Sequence, residues 1–489
     1  MNGIRNAAGS LSLLTDLYEL TMACGYWRED RHAEEAAFSL TFRSNPFEGG
    51  FTVACGLAPA IEFLESLRFD ESDLAYLATL RGNDERPLFP EEFLRFLSAL
   101  RFECDVDAVP EGTIVFPHEP LVRVVGPILQ AQIVESALLN IVNFQSLVAT
   151  KAARVVMAAK GEPVAEFGLR RAQGIDGALA ASRAAYLGGC SSTSNVLAGK
   201  IFGIPVSGTM AHSWVMSFDD EQESFDSFAA AMPNNAILLV DTYDSLEGTR
   251  RAAATGRRLQ EKGQRLAGIR LDSGDLAYLS IEARKILDES GLTDAKIAAS
   301  NEFDEHVIAS LEEQGAKIDL WGVGTRLVTA WEQPALGGVY KLNALRRDGA
   351  WTPRIKLSEQ AAKTSNPGML AARRFFDERG QCVADMIYDE LASPPGRQTI
   401  VDPLDPTRRK KLEEGMAHEE LLVPVLRGGE RVAELPPLAE SRERVHRQLA
   451  LFHGGIKRFV NPHRYPVGLE KSLHDRKTKL VLELRGIGR

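Results

Sequence analysis

"AILLVDTYDSLEGTRRAAATGRRLQEKGQRLAGIRLDSGDL", residues 236 to 276, contains one complete strand–helix–strand unit, and the fold turns on how it is read. Residues 236–240 form a continuous apolar run, which suits a strand buried on both faces. "EGTRRAAATGRRLQEKG" follows with small and apolar residues at helical spacing among Arg, Lys and Gln, and stops at a glycine, where helices commonly end. Residues 266–271 are a second strand, ending in Asp272-Ser273-Gly274-Asp275. A strand, a helix and a strand in this succession imply parallel pairing.

The same texture extends in both directions. Strand-like runs lie at residues 164–168, 204–206, 296–299 and 318–321, separated by "DGALAASRAAYLGG", "LAYLSIEARKILDESG" and "DEHVIASLEEQG". With "SSTSN" as a short strand end and "GGVYKLNAL" closing the series, the count approaches eight. An α/β fold built on an irregular (β/α)8-type barrel is therefore expected, rather than an open doubly wound sheet. Neither a G-x-G-x-x-G fingerprint nor a P-loop follows any of these strands.

Outside this region the patterns are mixed. "LLTDLYELTMACGYW" reads as an amphipathic helix capped by Thr15 or Asp16, and "AAFSLTFRSNPFEGGFTVACGL" as two strands about a Pro/Gly turn. "EGTIVFPHEPLVRVVGPI" gives two more short strands, and residues 129–159 a long helix. After about residue 365 a proline-marked connection leads to helical and basic tail segments. The expected organisation is an N-terminal α+β domain over 1–140, a barrel over 141–365, and a segment over 366–489 that packs on the N-terminal domain.

Composition narrows the function. The 489 residues carry 57 Lys and Arg against 67 Asp and Glu, a net charge of −10, which argues against a general nucleic-acid binder. Five cysteines with no C-x-x-C pair indicate neither a zinc site nor a disulfide framework. The N-terminal segment lacks a signal-peptide pattern, and no apolar run reaches the length of a membrane span. A cytoplasmic location is expected.

Each strand end in the alternating region carries polar residues of functional type. They are Arg170-Arg171, Ser192-Thr193-Ser194-Asn195, Thr209 with His212 and Ser213, Asp241-Thr242-Tyr243-Asp244, Arg270 with Asp272, Ser273 and Asp275, Ser300-Asn301-Glu302, and Gly322-Val323-Gly324-Thr325. Singly, an Asp, Ser or Asn before a helix is an ordinary N-cap. Together, in a parallel barrel, these ends converge on one face, where such enzymes hold their chemistry. His118, in "VFPHEP", reads as structural or exposed. "GVGT" offers backbone N–H groups to an anion. Arg270 or Arg170 can grip a carboxylate at two points. Asp241, Asp272 and Asp275 suit Mg²⁺ or ribose hydroxyls. A neutral imidazole at His212 can act as base or as nucleophile toward a phosphoryl group. The residues thus point to a phosphorylated sugar, an anionic co-substrate and magnesium.

"FGLRRAQGIDGALAASRAAYLGGCSSTSN", "GTMAHS", "GIRLDSGDL", "SNEFDE", "WGVGTRLVTA", "GGVYKL" and "NPHRYPVGL", with the N-terminal "LLTDLYELTMACGYW", closely resemble the nicotinate phosphoribosyltransferase family over residues 15 to 469. The resemblance implies a type II phosphoribosyltransferase fold and an ATP-coupled union of nicotinate with phosphoribosyl pyrophosphate. The product would be nicotinate mononucleotide, a step of NAD salvage. It makes His212 the transiently phosphorylated histidine, with Asp272 beside it as a catalytic residue. It assigns nicotinate contacts to Tyr18, Thr209 and Arg270, and the donor's phosphate to Gly322, Gly324 and Thr325. Arg170, Asp241 and Ser300 complete the substrate-binding set, and Asp272 with Asp275 are the candidate Mg²⁺ ligands. Because Tyr18 reaches a neighbouring subunit's site in the family, a homodimer with shared active sites is implied. ATP and Mg²⁺ are the expected co-substrate and cofactor, with neither nucleic acid nor membrane as partner.

Three rivals remain at this point: a nicotinamide-using relative that prefers a neutral amide, a quinolinate-using enzyme of the same fold, and a catalytically dead barrel kept for binding. "GTMAHS" with "GIRLDSGDL" favours the acid-using, ATP-linked enzyme.

Overall fold

The computed structural model describes residues 10–360, 363–392 and 398–487, which fall into two compact units, Met1–Leu147 with Ala335–Arg489, and Val148–Pro334. The second unit is organised by a six-stranded parallel sheet. Its order is Ser192–Thr193, Val164–Glu166, Leu320–Val323, Lys296–Asn301, Gly268–Leu271 and Ile237–Leu239. The first strand in the chain thus lies inside the sheet, flanked by the second and the last. Ser300 pairs with Gly322, and Arg270 with Ala298 and Leu239, so the strands finish nearly level. Between strands run Gly174–Leu187, Ser245–Glu261, Leu276–Glu289 and Glu305–Glu313, the helices whose patterns are visible in the sequence. Gly248 lets the Ser245–Glu261 helix lie directly on its strand, since a Cβ there would collide with the Val240 carbonyl oxygen.

The expected irregular (β/α)8-type barrel is not confirmed: this sheet has six strands and is open. Residues 204–206, read as a strand, contribute a single bridge from Val206 to Thr193. Pro205 has no N–H to extend a ladder; its carbonyl accepts from Thr193 N, and Ser207 N donates to the Thr193 carbonyl. Ile204 is buried but Val206 is 52% exposed. Among the described residues no strand pairing links this edge to Ile237–Leu239. The other misplaced member is "GGVYKLNAL". It lies in Gly338–Arg347 and pairs antiparallel with Glu35–Phe42, its Tyr340 ring stacked on Phe38 at 5.1 Å.

That pairing belongs to the first unit. Its seven-stranded sheet is antiparallel throughout, in the order Ala350–Pro353, Gly338–Arg347, Glu35–Phe42, Val122–Pro127, Asp105–Ala108, Val423–Arg427 and Glu430–Arg431. A six-stranded mixed sheet is built from strands between Leu370 and Glu470, with one parallel pair, Cys382–Asp389 beside Val467–Glu470. Its interior holds a charge: Arg374, fully buried, donates to both carboxylate oxygens of Asp385, which also accepts from Tyr465 Oη at 2.9 Å. The Arg374 guanidinium lies over the Phe452 ring at 4.9 Å.

The N-terminal helix is Leu17–Arg28 with Asp16 at the N-cap position, yet the Asp16 carboxylate accepts from Ser136 Oγ instead of capping. The long helix expected over 129–159 is two, Ile128–Ile133 and Glu135–Ala158. All five cysteines are buried. Among the described residues no helix is long and apolar enough to cross a membrane.

Candidate active site

The strand ends of the parallel sheet open onto a cavity of about 510 Å³. One wall is set by Glu166, a wholly buried carboxylate. It accepts from the Gly168 backbone N–H, from Ser182 Oγ at 2.8 Å and from Thr193 Oγ1 at 2.6 Å. Thr193 Oγ1 in turn accepts from Asn195 N at 3.0 Å. One side chain therefore ties the Leu169–Arg171 turn to the next helix and strand, fixing the segment that carries Arg170, Arg171 and Ser194 to the cavity. Both arginines are themselves exposed.

Opposite lies the Gly268–Leu271 strand end. Arg270 Nη1 donates to Thr209 Oγ1, and Arg270 Nε is buried with no hydrogen-bond partner. Burial lowers the Arg270 pKa below its ordinary value, against the pull of Asp272 and Asp241 and with the push of Arg170. The guanidinium is thus a desolvated cation with an uncommitted edge, the arrangement that suits a carboxylate ligand. Asp272 accepts from Ser300 Oγ, and both residues line the cavity. Asp241 supports this loop from behind, its Oδ2 accepting from Asp272 N at 2.9 Å and Ser273 Oγ at 2.7 Å, while its Oδ1 is buried without a partner.

His212 opens the short His212–Met216 helix at the rim. Its Nδ1 lies 3.1 Å from Thr242 Oγ1 and its Nε2 3.8 Å from Asp272 Oδ2. The ring is 40% exposed and does not itself line the cavity, which the neighbouring Ala211 and Asp272 do. At the far end Gly322, Gly324 and Thr325 line the cavity. A Cβ at Gly322 would sit 2.8 Å from the Phe167 ring, so only glycine leaves this wall open. The helix that follows, Thr325–Val328, is a single turn, and Thr325 Oγ1 donates to Glu302 Oε1 at 2.9 Å.

The structure separates two kinds of strand-end aspartate that look alike in sequence. Asp244 and Asp275 are N-caps, accepting from Glu247 N at 2.8 Å and Tyr278 N at 3.2 Å, whereas Asp272 lines the cavity and Asp241, which does not, holds the Asp272 loop from behind. Asp275 does not line the cavity. Among the described residues no group of three His, Cys, Asp or Glu side chains forms a protein-only metal centre. Of the candidate metal ligands only Asp272 opens on the cavity, where its carboxylate could join a magnesium ion that takes its other ligands from water and substrate phosphates.

Tyr18 belongs to the other unit, on the Leu17–Arg28 helix, and is 46% exposed. Burial, with Glu135 and Glu19 adding, raises its phenol above the ordinary range. Glu166 is not among the candidates visible in the sequence, and Thr242 stands there only as a member of the Asp241–Asp244 strand end, with no role of its own. A carboxylate inside a three-residue apolar strand is the one signal that marks Glu166. His118 is neither plainly structural nor exposed. It is half-buried with φ +73°, beside a second cavity of about 340 Å³ that it shares with Arg43 and Arg464.

Three successive family models match the chain. They are the nicotinate phosphoribosyltransferase N-terminal domain over residues 13–143, the nicotinate phosphoribosyltransferase family over 163–378, and the corresponding C-terminal domain over 371–477. The nicotinate phosphoribosyltransferase of Bacillus subtilis is 42% identical, covering 97% of this chain and 96% of its own. The human nicotinate phosphoribosyltransferase is 37% identical, covering 95% and 96%. The crystal structure of human nicotinic acid phosphoribosyltransferase superposes with a TM-score of 0.82 at 34% identity, over 95% of this chain and 99% of that one. Matched in this way along nearly its whole length, the chain belongs to the nicotinate phosphoribosyltransferase family.

Proposed function

We propose that this chain joins nicotinate to phosphoribosyl pyrophosphate, giving nicotinate mononucleotide and pyrophosphate in NAD salvage. Coupling to ATP would run through transient phosphorylation of His212. The observation that carries the reading is the single cavity onto which Arg270, Thr209, Asp272, Ser300 and the Gly322–Thr325 loop all open. A desolvated guanidinium at one end and glycine-bared backbone at the other suit a carboxylate and a phosphate.

In this reading Arg270, held by Thr209, grips the nicotinate carboxylate and turns the ring nitrogen toward C1 of the ribose. Fixing both reactants in that pose removes much of the entropic barrier. The nitrogen lone pair forms the new bond to C1 as the C1–oxygen bond to pyrophosphate breaks through a charge-separated state. Gly324 and Thr325 hold the 5′-phosphate, and Thr325 must exchange its bond to Glu302 for one to that phosphate. Asp272, held in place by Asp241, would hold magnesium, which when bound supplies neutralising charge at the pyrophosphate. His212, placed between Thr242 and Asp272, takes the γ-phosphoryl group of ATP on a ring nitrogen as ADP leaves, and water later removes it. Tyr18 of a second copy would complete the site in a homodimer.

The test is incubation with labelled nicotinate, phosphoribosyl pyrophosphate and Mg²⁺, with and without ATP. Nicotinate mononucleotide should form, faster with ATP. Preferential use of nicotinamide, or no pyrophosphate release at all, would defeat the reading.

A further inference from the structure

The two loops that bring Ser300–Glu302 and Gly324–Thr325 to the cavity are braced by a cluster of charges, four of them buried. The first loop follows Lys296–Asn301 and brings Ser300, Asn301 and Glu302 to the cavity; the second follows Leu320–Val323 and brings Gly324 and Thr325. Asp304, 2% exposed, caps Glu305–Glu313 by accepting from His306 N at 3.0 Å and Val307 N at 2.8 Å. Its other oxygen accepts from Arg326, the residue after Thr325. Glu305, wholly buried, takes Lys151 Nζ and Arg154 Nε, each at 2.6 Å. Lys151, also wholly buried, lies 3.7 Å from Glu332, at the end of the second loop's segment.

Three cations and three carboxylates therefore form one neutral cluster that ties the first loop to the second twice, through Arg326–Asp304 and through Glu305–Lys151–Glu332. Burial alone would raise the carboxyl pKa values of Asp304 and Glu305. The Val307 N–H with Arg326, and Lys151 with Arg154, outweigh it and hold both below their ordinary values. Buried ion clusters are a poor way to gain stability, because desolvation offsets the attraction. This one spends its geometry on relative placement. Consistent with an imposed position, Ala330 and Glu332 both adopt left-handed φ, +46° and +79°, although neither is glycine.

We propose that Arg326, Lys151 and Glu332 are positioning residues for the donor phosphate. They hold the Gly324–Thr325 loop in register with Ser300–Glu302 without touching substrate. The inference rests on the reading that this loop receives the phosphate of phosphoribosyl pyrophosphate. Its signature is a split: the cluster braces the Gly324–Thr325 loop, so loosening it should weaken the donor and leave nicotinate, at Arg270, unchanged.

The experiment compares Arg326→Met, Arg326→Lys, Glu332→Gln and Lys151→Met with the parent, alongside Thr325→Ala, measuring KM separately for each substrate. Arg326 and Glu332 side chains are 30% and 45% exposed, so these variants keep the test alive if Lys151→Met does not fold. Arg326→Met is expected to raise the donor KM about 10-fold and Glu332→Gln about 3-fold, with nicotinate KM within about 2-fold, and Arg326→Lys should recover most of the loss. Donor KM unchanged in Arg326→Met, or both KM values rising by the same factor in folded protein, overturns the proposal. Should Thr325→Ala leave donor KM unchanged, the phosphate-loop reading itself fails; a rise there with no effect of Arg326→Met sinks the positioning role alone.

Discussion

Replacing Arg270 by lysine keeps a positive charge in the cavity but removes the planar fork. Arg270 is largely buried, spends Nη1 on Thr209 and leaves Nε without a partner, so its free edge is available for a two-point contact. Lysine can remake one charge-assisted bond but not both. The lost bond is worth about 1.5–3 kcal/mol, which corresponds to roughly a 10- to 150-fold weaker hold on nicotinate. Steady-state KM and a direct binding measurement should both be taken, since KM equals a dissociation constant only when chemistry is slow. Nicotinamide, lacking the carboxylate, should lose far less, so the preference for acid over amide should fall by a similar factor. A nicotinate KM within about 2-fold of the parent, in protein of unchanged melting temperature, would refute the assignment of Arg270 to the carboxylate.

His212→Ala should abolish ATP hydrolysis and ATP stimulation while leaving a slow ATP-independent transfer, measured as pyrophosphate release with and without ATP; full coupling in that variant removes His212 from the role. Asp385→Ala strands Arg374 in a wholly buried site and should cost about 3–5 kcal/mol, read as a lowered denaturant midpoint with an unchanged slope. Burial, with Lys477 and Arg464 adding, depresses His118 from 6.5 to about 4. The unfolded chain therefore binds this proton more readily than the folded one. The stability involved is fully present above about pH 6.5 and is lost as pH falls toward about 4, on the order of 3 kcal/mol in all. Urea melts between those limits should show a shallower pH dependence in His118→Gln than in the parent.

The parallel sheet was legible because each buried strand is a short apolar run and each crossover helix stops at a glycine or carries its own cap. What misled was pairing. "GGVYKLNAL" reads as a strand whichever sheet receives it. Its partner Glu35–Phe42 lies some 300 residues upstream, and no local pattern records that choice. Residues 204–206 are apolar enough for a strand, but Pro205 cannot extend a ladder and Val206 faces outward. At the site, Asp241 and Asp244 are equally good caps on paper, and only the crossover geometry makes one a cap and the other a support for Asp272. Glu166 was hidden for a related reason. Of its three donors only Gly168 is a sequence neighbour; Ser182 and Thr193 come from the next helix and strand, and no local pattern records those contacts.

The split make-up of the first unit has a bearing on biosynthesis. As the chain leaves the ribosome, the Glu35–Phe42 strand emerges early, yet the strand that covers its open edge, Gly338–Arg347, follows only after the whole of Val148–Pro334. The inserted middle is contiguous and can close its own contacts first, while the leading segment waits with an unpaired edge of the kind that invites intermolecular pairing. Slow or interrupted translation past residue 334 should therefore trap a half-built antiparallel sheet beside a finished parallel one, and chaperone dependence should peak in that interval.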